Sequence, residues 1–208
     1  MIVEPSTLPW KDAYKLLIGS VLPRPIAFVS TVDLKGRANL APFSFFTCIS
    51  AEPMLICFSP MVRGSDGAKK DTLVNIEATK EFIINIVSED IINQVNECAT
   101  EFPFDTDEFI ISGLNKEAGS KVNVPRVKEC LIHLECSLYE LHHYGSEPGS
   151  GSLVIGKVEL ISIADHLYEN GKINTQQLNP IGRMAGQSYL RAASDTFILN
   201  RIKKGDSK

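Results

Sequence analysis

The amino-acid sequence predicts a mainly β protein in which helices are inserted between the strands of an antiparallel barrel. Apolar or alternating runs typical of strands recur along the chain, and turns rich in glycine or proline separate them. Segments between these runs carry apolar residues at the spacing of an amphipathic helix. No internal repeat, low-complexity segment or linker divides the 208 residues. We therefore expect a single domain over 1–208.

The N-terminal part predicts a helix, a β-hairpin and a further strand. Apolar residues within 10–19 recur at helical spacing, and a glycine closes the segment. Residues 25–32 form an apolar run typical of a strand, and the Asp-Leu-Lys-Gly sequence at 33–36 predicts a turn. The chain returns through 37–48 as the second arm of the hairpin, and a buried strand follows at 54–59 between two prolines.

Two amphipathic helices flank a strand in the middle of the chain. Residues 69–80 carry apolar side chains at helical spacing, and Asp71 is the candidate N-cap of this helix. Residues 81–87 predict a strand. Residues 88–99 again place apolar residues at the i, i+3/i+4 spacing, with Ser88 as the candidate cap.

Two long strands are predicted in the C-terminal half, after a loop-rich region at 101–128. Residues 130–144 alternate between an apolar face and a polar face that includes His133, so we expect His133 at the surface. A turn of glycine, serine and proline leads to 153–163, a natural antiparallel partner. Long strands joined by turns indicate an antiparallel sheet that is closed, or nearly closed, into a barrel.

Composition and charge exclude several classes of partner. The net charge of −4 gives no electrostatic reason to expect nucleic acid or an anionic membrane. No signal peptide is visible, and no apolar run approaches the roughly 18 residues needed to cross a bilayer, so we expect a cytoplasmic protein. The cysteines form no C-x-x-C pair. Four of them lie in apolar, strand-like runs, which predicts reduced and buried thiols: Cys48, Cys57, Cys130 and Cys136.

The sequence contains no motif for a metal site or a catalytic triad. A G-x-G-x-x-G after a strand, a P-loop, G-x-S-x-G and H-E-x-x-H are all absent. His142 and His143 are adjacent on a predicted strand, so their side chains point to opposite faces and cannot share a metal ion. His133 and His166 each stand alone. We therefore predict neither a metal-ligand set nor a catalytic side chain.

The stretch 39–50, NLAPFSFFTCIS, breaks the rules of the strand in which it lies. Pro42 has no backbone donor, which favours an edge strand or a bulge. The polar residues Asn39, Ser44 and Thr47 recur without strict alternation, and three phenylalanines lie among them. Irregular hydrogen bonding leaves backbone N–H and C=O groups free to bind the edge of a planar heterocycle, and the phenylalanines supply an apolar wall.

Two further polar groups accompany this stretch. Arg24 stands between two prolines, which stiffen the backbone and hold the guanidinium in place, although a surface arginine in a turn is the simpler alternative. The sequence Lys-Lys-Asp-Thr at 69–72 opens a helix. Its unpaired N–H groups, the Lys70 charge and the Thr72 hydroxyl favour an anion such as phosphate, although lysines beside helix caps are common. Together the three features outline a mononucleotide site without a glycine-rich loop.

The chain contains, in order, P-R-P-I-A-F-V-S-T, N-L-A-P-F-S-F-F, K-D-T-L-V-N-I and E-F-I-I-N-I-V, followed by I-G-R-M-A-G-Q-S-Y at 181–189. This series resembles the flavin reductase-like FMN-binding split-barrel family, and within it the flavoredoxin and nitrilotriacetate monooxygenase component B branch. The matches run from about residue 14 to 190. The resemblance implies an antiparallel split β-barrel of the Greek-key type, a homodimer, and FMN held without a covalent bond near the subunit interface.

The resemblance also implies which residues contact the flavin. From ring to phosphate, and then from the C-terminal region, they are Arg24 and Pro25 beside the isoalloxazine; Asn39, Ala41, Pro42 and Ser44 at its polar edge; Phe45, Phe46 and Thr47 along the ribityl chain; Lys70, Asp71 and Thr72 at the phosphate; and Arg183 and Tyr189 near the ring. A carboxylate repels a phosphate, so we assign Asp71 first to helix capping, with its side chain turned away.

The leading functional hypothesis is reduction of FMN by NADH or NADPH, with reduced flavin passed to a flavin-dependent monooxygenase or another acceptor. Many reductases of the family carry a histidine just before an Ile-Gly-x-Val strand, where this chain has Ser152 and Leu153. That departure favours the alternative of an FMN-bound electron-transfer protein, similar to flavoredoxin, that does not oxidise nicotinamide itself. A barrel that keeps the fold without binding flavin is a third hypothesis.

Overall fold

The structure is a computed structural model in which residues 1–201 are described. Short 3-10 helices within this range lie at Pro5–Thr7, Glu89–Ile91 and Asp165–Leu167. The α-helices of the described residues are α1 (Trp10–Ser20), α2 (Asp71–Thr79), α3 (Ile92–Glu97), α4 (Glu108–Ser112) and α5 (Thr175–Leu178). The strands are β1 (Arg24–Pro25), β2 (Ala27–Val32), β3 (Ala38–Phe43), β4 (Phe46–Ala51), β5 (Met54–Phe58), β6 (Glu81–Ile86), β7 (Lys116–Ala118), β8 (Pro125–Val127), β9 (Ile132–His143), β10 (Ser152–Ile163), β11 (Tyr168–Glu169), β12 (Lys172–Ile173), β13 (Ile181–Arg183) and β14 (Tyr189–Arg191).

Seven strands form one antiparallel sheet in the order β3-β2-β6-β9-β10-β5-β4. β9 and β10 are each 12 residues long and pair along their whole length, as their alternation predicts. The remaining strands make three small antiparallel sheets, β1-β13-β14, β7-β8 and β11-β12. Helix α2 lies between β5 and β6 in the chain, and α3 and α4 lie between β6 and β7. The predicted fold class, mainly β and antiparallel with inserted helices, is confirmed.

Strands β3 and β4 lie at opposite edges of this sheet, although only Ser44 and Phe45 separate them along the chain. Three peptide units join Phe43 to Phe46, so their Cα atoms are at most about 11 Å apart. The edges of a flat seven-stranded sheet would be about 29 Å apart, since strands are spaced by about 4.8 Å. The sheet must therefore curl until its edges approach, which makes a barrel that is open between β3 and β4.

The prediction of one continuous strand over 37–48 is wrong in this respect. β3 pairs with β2 and ends at Phe43, whereas β4 begins at Phe46 and pairs with β5. The chain changes partner at Ser44, and the irregular polar pattern marks this change. Pro42 lies in an edge strand, as its missing donor predicts.

Apolar side chains pack on both faces of the curled sheet. One cluster contains Phe58 and Phe82, whose ring centroids are 5.6 Å apart in an edge-on arrangement. Gly156 permits this packing, because a Cβ at that position would lie 2.4 Å from the Phe82 ring. A second cluster holds α3 and α4 against β2 and β3 through Val95 and Phe109.

The predicted helix caps need correction. α2 begins at Asp71, and its N-cap is Lys70 rather than Asp71. The Asp71 carboxylate is turned to Arg63, whose Nη2 donates to it at 2.7 Å. Ser88 does occupy the cap position of the next helical segment, which begins as a 3-10 turn and continues as α3, but its side chain makes no capping hydrogen bond.

The polar face of β9 is buried at His133 and Glu135, so the expectation that His133 lies at the surface is wrong. Residues 119–127 cover this face: the Glu135 carboxylate accepts the backbone N–H groups of residues 120–122, and the His133 ring contacts the Val127 carbonyl. Cys48 is exposed on β4, contrary to its predicted burial, whereas Cys130 and Cys136 are buried and Cys57 is half-buried. No helix within residues 1–201 is long and apolar enough to cross a membrane.

Candidate functional site

The free edge of β3 and the first turn of α2 border one small cavity of about 60 Å³. A tight turn of the chain before α2 and the segment 98–102 after α3 complete its wall. Six of the residues predicted from the sequence lie together here: Asn39, Ala41, Pro42, Lys70, Asp71 and Thr72.

The cavity has two cationic side chains, and the sequence reasoning found only one of them. The Lys70 ammonium donates to the Glu101 carboxylate at 2.6 Å. Arg63 reaches the same cavity from the loop before α2, and its Nε is buried without a hydrogen-bond partner among the described residues. Burial raises the pKa of the Asp71 carboxyl, while the neighbouring Arg63 guanidinium opposes that shift. An anion at the start of α2 would meet both cations and the unpaired helix N–H groups.

Asn39 and Thr72 are tied to one another beneath the cavity. The Thr72 hydroxyl donates to Asn39 Oδ1 at 2.8 Å, and Asn39 Nδ2 donates to Glu108 Oε1 at 2.9 Å. All three residues are buried. The Thr72 hydroxyl proton is therefore engaged inside the protein, so the predicted hydroxyl donor to a phosphate is replaced here by the backbone N–H groups of α2.

Arg24 is buried and acts as a link between three segments of the chain. Its Nη1 donates to the carbonyls of Ile18 at 2.7 Å and Val21 at 3.2 Å, at the end of α1. Its Nη2 donates to the Met184 carbonyl at 3.0 Å, and Nε contacts Ser44 Oγ at 3.4 Å. Hydrogen bonds from the guanidinium itself thus hold Arg24 in place, and its donors are aimed at the protein.

The phenylalanines that follow Ser44 diverge. Phe45 lines an apolar groove of about 510 Å³ together with Trp10 and Tyr14, and its ring centroid is 6.2 Å from that of Tyr14. Phe46 packs against the cluster that contains Phe58. Thr47 is exposed at the start of β4. The structure therefore brings an apolar groove, an open sheet edge and the start of α2 to the region where the barrel is split.

Arg183 and Tyr189 line a different, larger cleft of about 630 Å³ between α3 and the β13–β14 hairpin. The Arg183 guanidinium lies 4.4 Å from the centroid of the Tyr189 ring, and the Tyr189 hydroxyl is 3.3 Å from Asn96 Oδ1. Arg24 connects this cleft with the β3–β4 break: β1 pairs with β13 at Arg24 and Arg183, and the Arg24 guanidinium contacts both the Met184 carbonyl and Ser44 Oγ. The fourteen predicted residues are therefore not gathered in a single cavity.

A histidine does lie beside the start of β10, although not in the preceding sequence. His143 on β9 is the cross-strand partner of Ser152, and its Nδ1 is 2.9 Å from Ser152 Oγ. Its Nε2 is 3.2 Å from a carboxylate oxygen of Glu77. Sequence reasoning looked for this histidine only at positions 152 and 153 and could not see a residue contributed by the neighbouring strand.

Comparison with known proteins gives a consistent family signal. Residues 18–178 match the family model described as flavin reductase like domain. An uncharacterized protein of Halalkalibacterium halodurans is 38% identical over 203 residues, which are 97% of this chain and 96% of the relative. An uncharacterized protein of Bacillus subtilis is 35% identical over 202 residues, 95% of this chain and 98% of the relative.

Solved structures agree with this result. Nitrilotriacetate monooxygenase component B from Bacillus cereus is 37% identical, with a TM-score of 0.90 over 96% of this chain and 98% of that chain. The 2-nitrobenzoate 2-nitroreductase of Pseudomonas fluorescens is 27% identical, with a TM-score of 0.87 over 97% and 96%. A likeness in fold alone extends to a flavin reductase with a split barrel domain from Shewanella frigidimarina, 21% identical at a TM-score of 0.79, with 97% and 96% coverage.

Proposed function

Because this chain belongs to the flavin reductase-like family, we propose that it binds FMN and reduces it with NADH or NADPH. Reduced flavin then passes to a flavin-dependent monooxygenase or another acceptor. The similarity to a protein named as a monooxygenase component supports this kind of partner. The two curated relatives match along nearly their whole length, which supports a function carried by the whole chain.

One observation carries the proposal: two cationic side chains, each paired with a carboxylate, lie beside an open strand edge. Arg63 and Lys70 flank the start of α2, where Arg63 Nε has no hydrogen-bond partner within residues 1–201. A terminal phosphate would accept from that donor and from the helix N–H groups, and it would compete with Asp71 and Glu101 for the two cations. The β3 edge at Pro42 borders the same cavity and would offer its carbonyl oxygen to the rest of the ligand.

The protein binds and orients, while the cofactor brings the redox chemistry. When bound, FMN supplies a ring that accepts a hydride from a nicotinamide held in stacked contact. The edge of β3 would bind the polar rim of the ring, and Phe45 would shield the apolar part from water. Arg63 and Lys70 would hold the phosphate and fix the ligand's direction. This division of labour agrees with a sequence that predicts no acid, base or nucleophile.

Lys70→Ala tests the phosphate corner, and Lys69→Ala is its matched control. Lys69 is the adjacent residue, but it pairs with Glu77 at 2.6 Å outside the cavity. A charged hydrogen bond contributes about 1.5–3 kcal/mol, so we expect Lys70→Ala to weaken FMN roughly tenfold or more by equilibrium dialysis. Riboflavin, which has no phosphate, should lose less than about twofold in both variants. Equal losses of FMN and riboflavin would remove Lys70 from the phosphate. FAD in the same assay decides between the two flavins.

The alternative, an FMN-bound electron carrier, is favoured by one observation. Ser152 and Leu153 stand where many reductases of the family carry a histidine. Anaerobic mixing of the flavin-loaded protein with NADH and then NADPH separates the two functions by the loss of flavin absorbance. A reductase bleaches within minutes with one of the nucleotides, whereas a carrier stays oxidised with both. A protein that takes up neither FMN nor FAD contradicts both functions.

We further propose that the protein is a homodimer. β4 is an edge strand with no neighbour on its outer side among the described residues, and the exposed side chains of Ile49 and Met54 lie on β4 and β5. Uncovered apolar edge strands are places where a second chain adds. Light scattering of the eluted protein should give twice the mass of 22.9 kDa. A monomer at micromolar concentration contradicts this arrangement.

A further inference from the structure

Glu108 is a buried carboxylate that the proposed flavin chemistry does not use directly. It is the first residue of α4 and is 5% exposed. Its Oε2 accepts the backbone N–H of Leu40 at 2.9 Å, and its Oε1 accepts Asn39 Nδ2 at 2.9 Å. Burying a charge is costly unless it is hydrogen-bonded, so this arrangement needs a compensating gain. Both bonds go to neighbouring residues of β3 at its free edge.

The carboxylate determines which way the Asn39 amide points. An ionised carboxylate only accepts hydrogen bonds, so Asn39 must turn its NH₂ to Glu108 and its oxygen to the opposite side. There Oδ1 accepts the Thr72 hydroxyl at 2.8 Å. A reversed amide would leave a donor facing a donor at Thr72 and an oxygen facing a carboxylate at Glu108. The carboxylate therefore fixes a bridge from β3 to the second residue of α2.

We propose that Glu108 is a positioning residue for the flavin site. It holds the β3 edge at Asn39 and Leu40 in register with the start of α2, so that ring-binding and phosphate-binding groups keep one spacing. Asn39 and Thr72 both border the cavity proposed to hold the phosphate end of the ligand. This inference rests on the proposed function, because the positioning matters only if a flavin bridges the two elements.

A pair of exchanged substitutions tests the hydrogen-bond directions. Glu108→Gln alone leaves one oxygen for two donors, so its NH₂ must face either the Asn39 NH₂ or the Leu40 N–H. Asn39→Asp alone puts a carboxylate against Glu108. The double variant moves the charge by one residue but keeps every bond. The amide at position 108 accepts from Leu40 and donates to the carboxylate at position 39, which still accepts from Thr72. We expect each single variant to weaken FMN roughly tenfold and the double variant to return to within about threefold of wild type.

Glu135→Gln is the matched control. It should lower the stability of the protein without disturbing the residues of the flavin site. Glu135 is also a fully buried carboxylate, and it accepts the backbone N–H groups of Ser120, Lys121 and Val122 away from the cavity. Urea titration should show a loss of stability for Glu135→Gln, while its FMN affinity and the visible spectrum of its bound flavin stay as in wild type. Glu108→Gln should change both the affinity and the spectrum.

The outcomes separate the inference from the function beneath it. A wild type that binds neither FMN nor FAD overturns both. A wild type that binds FMN, with a folded Glu108→Gln variant that binds it equally well, overturns the positioning role alone. If Glu108→Gln does not fold, the double variant decides: a folded double variant that binds FMN supports the role, and one that is no better than the single variants in folding or binding overturns it.

Discussion

Replacement of Arg24 by methionine should destabilise the protein by about 3 kcal/mol. The substitution keeps an unbranched side chain but removes the donors to the carbonyls of Ile18, Val21 and Met184, which lie at 2.7, 3.2 and 3.0 Å. Hydrogen bonds to charged groups contribute about 1.5–3 kcal/mol each. The bond to Ile18 is buried and the other two are partly buried, so water replaces part of the loss. The expected fall in Tm is about 6–12 °C for a chain of this length.

Urea titration followed by the fluorescence of Trp10 measures this loss, since Trp10 is the single tryptophan and lies on α1. Arg37→Met is the matched control, because the Arg37 side chain is 42% exposed and pairs with Asp33 at 2.7 Å. Such a surface pair contributes at most about 1 kcal/mol. Equal destabilisation by the two substitutions would refute the structural role of Arg24. A variant with normal stability but lost flavin affinity would instead make Arg24 a direct ligand contact.

Three other predictions concern packing, pH and thiol reactivity. Gly156→Ala should lower the free energy of unfolding by about 1–3 kcal/mol, because its Cβ would lie 2.4 Å from a buried phenylalanine ring, whereas Gly19→Ala in α1 should raise it by about 0.5–1 kcal/mol. If urea titrations give both glycine variants the same change in the free energy of unfolding, the packing argument at Gly156 is contradicted. Burial lowers the pKa of His133, so the unfolded chain binds a proton that the folded chain disfavours, and stability is lost as pH falls below about 6.5. His133→Gln should show a smaller loss between pH 7 and 5, and an unchanged loss would refute this cause. Burial raises the pKa of Cys98 to about 11, whereas Cys48 is exposed. Iodoacetamide at pH 8 should therefore label Cys48 in the folded protein and Cys98 only in urea. Mass spectrometry locates the label.

The sequence was sufficient for elements whose signals are local. Alternation and a turn of small residues predict β9 and β10, and the structure pairs them from Ser152 opposite His143 to Ile163 opposite Ile132. Alternation separates the two faces of a strand, but it does not tell which face is covered. His133 is therefore misplaced by sequence reasoning, because residues 119–127 fold back over the polar face of β9.

The sequence singles out site residues that interrupt an apolar pattern. It does not single out site residues that lie in polar stretches. Asn39, Lys70 and Thr72 stand out because they interrupt strand or helix patterns, and the structure brings them to one cavity. Arg63 lies in a loop of small and polar residues, and Glu108 follows two aspartates in an acidic stretch, so each looks like an ordinary surface charge. Their roles depend on contacts with residues far away in sequence, such as the bond from Leu40 to Glu108 across 68 positions.

The free edge of β3 carries more hydrogen-bond acceptors than donors, which limits the chemistry of the ligand group that can bind there. Leu40 and Pro42 turn their backbone polar groups to the same side of the strand, away from β2. The Leu40 N–H is taken by Glu108, and Pro42 has no N–H. The edge therefore offers carbonyl oxygens and few donors, which suits the N3–H donor of an isoalloxazine ring. We expect FMN methylated at N3 to bind more weakly than FMN in equilibrium dialysis. We expect Glu108→Gln to reduce the ratio of the two dissociation constants. Equal binding of the two flavins to the wild-type protein would show that the β3 edge does not contact the ring through its acceptors.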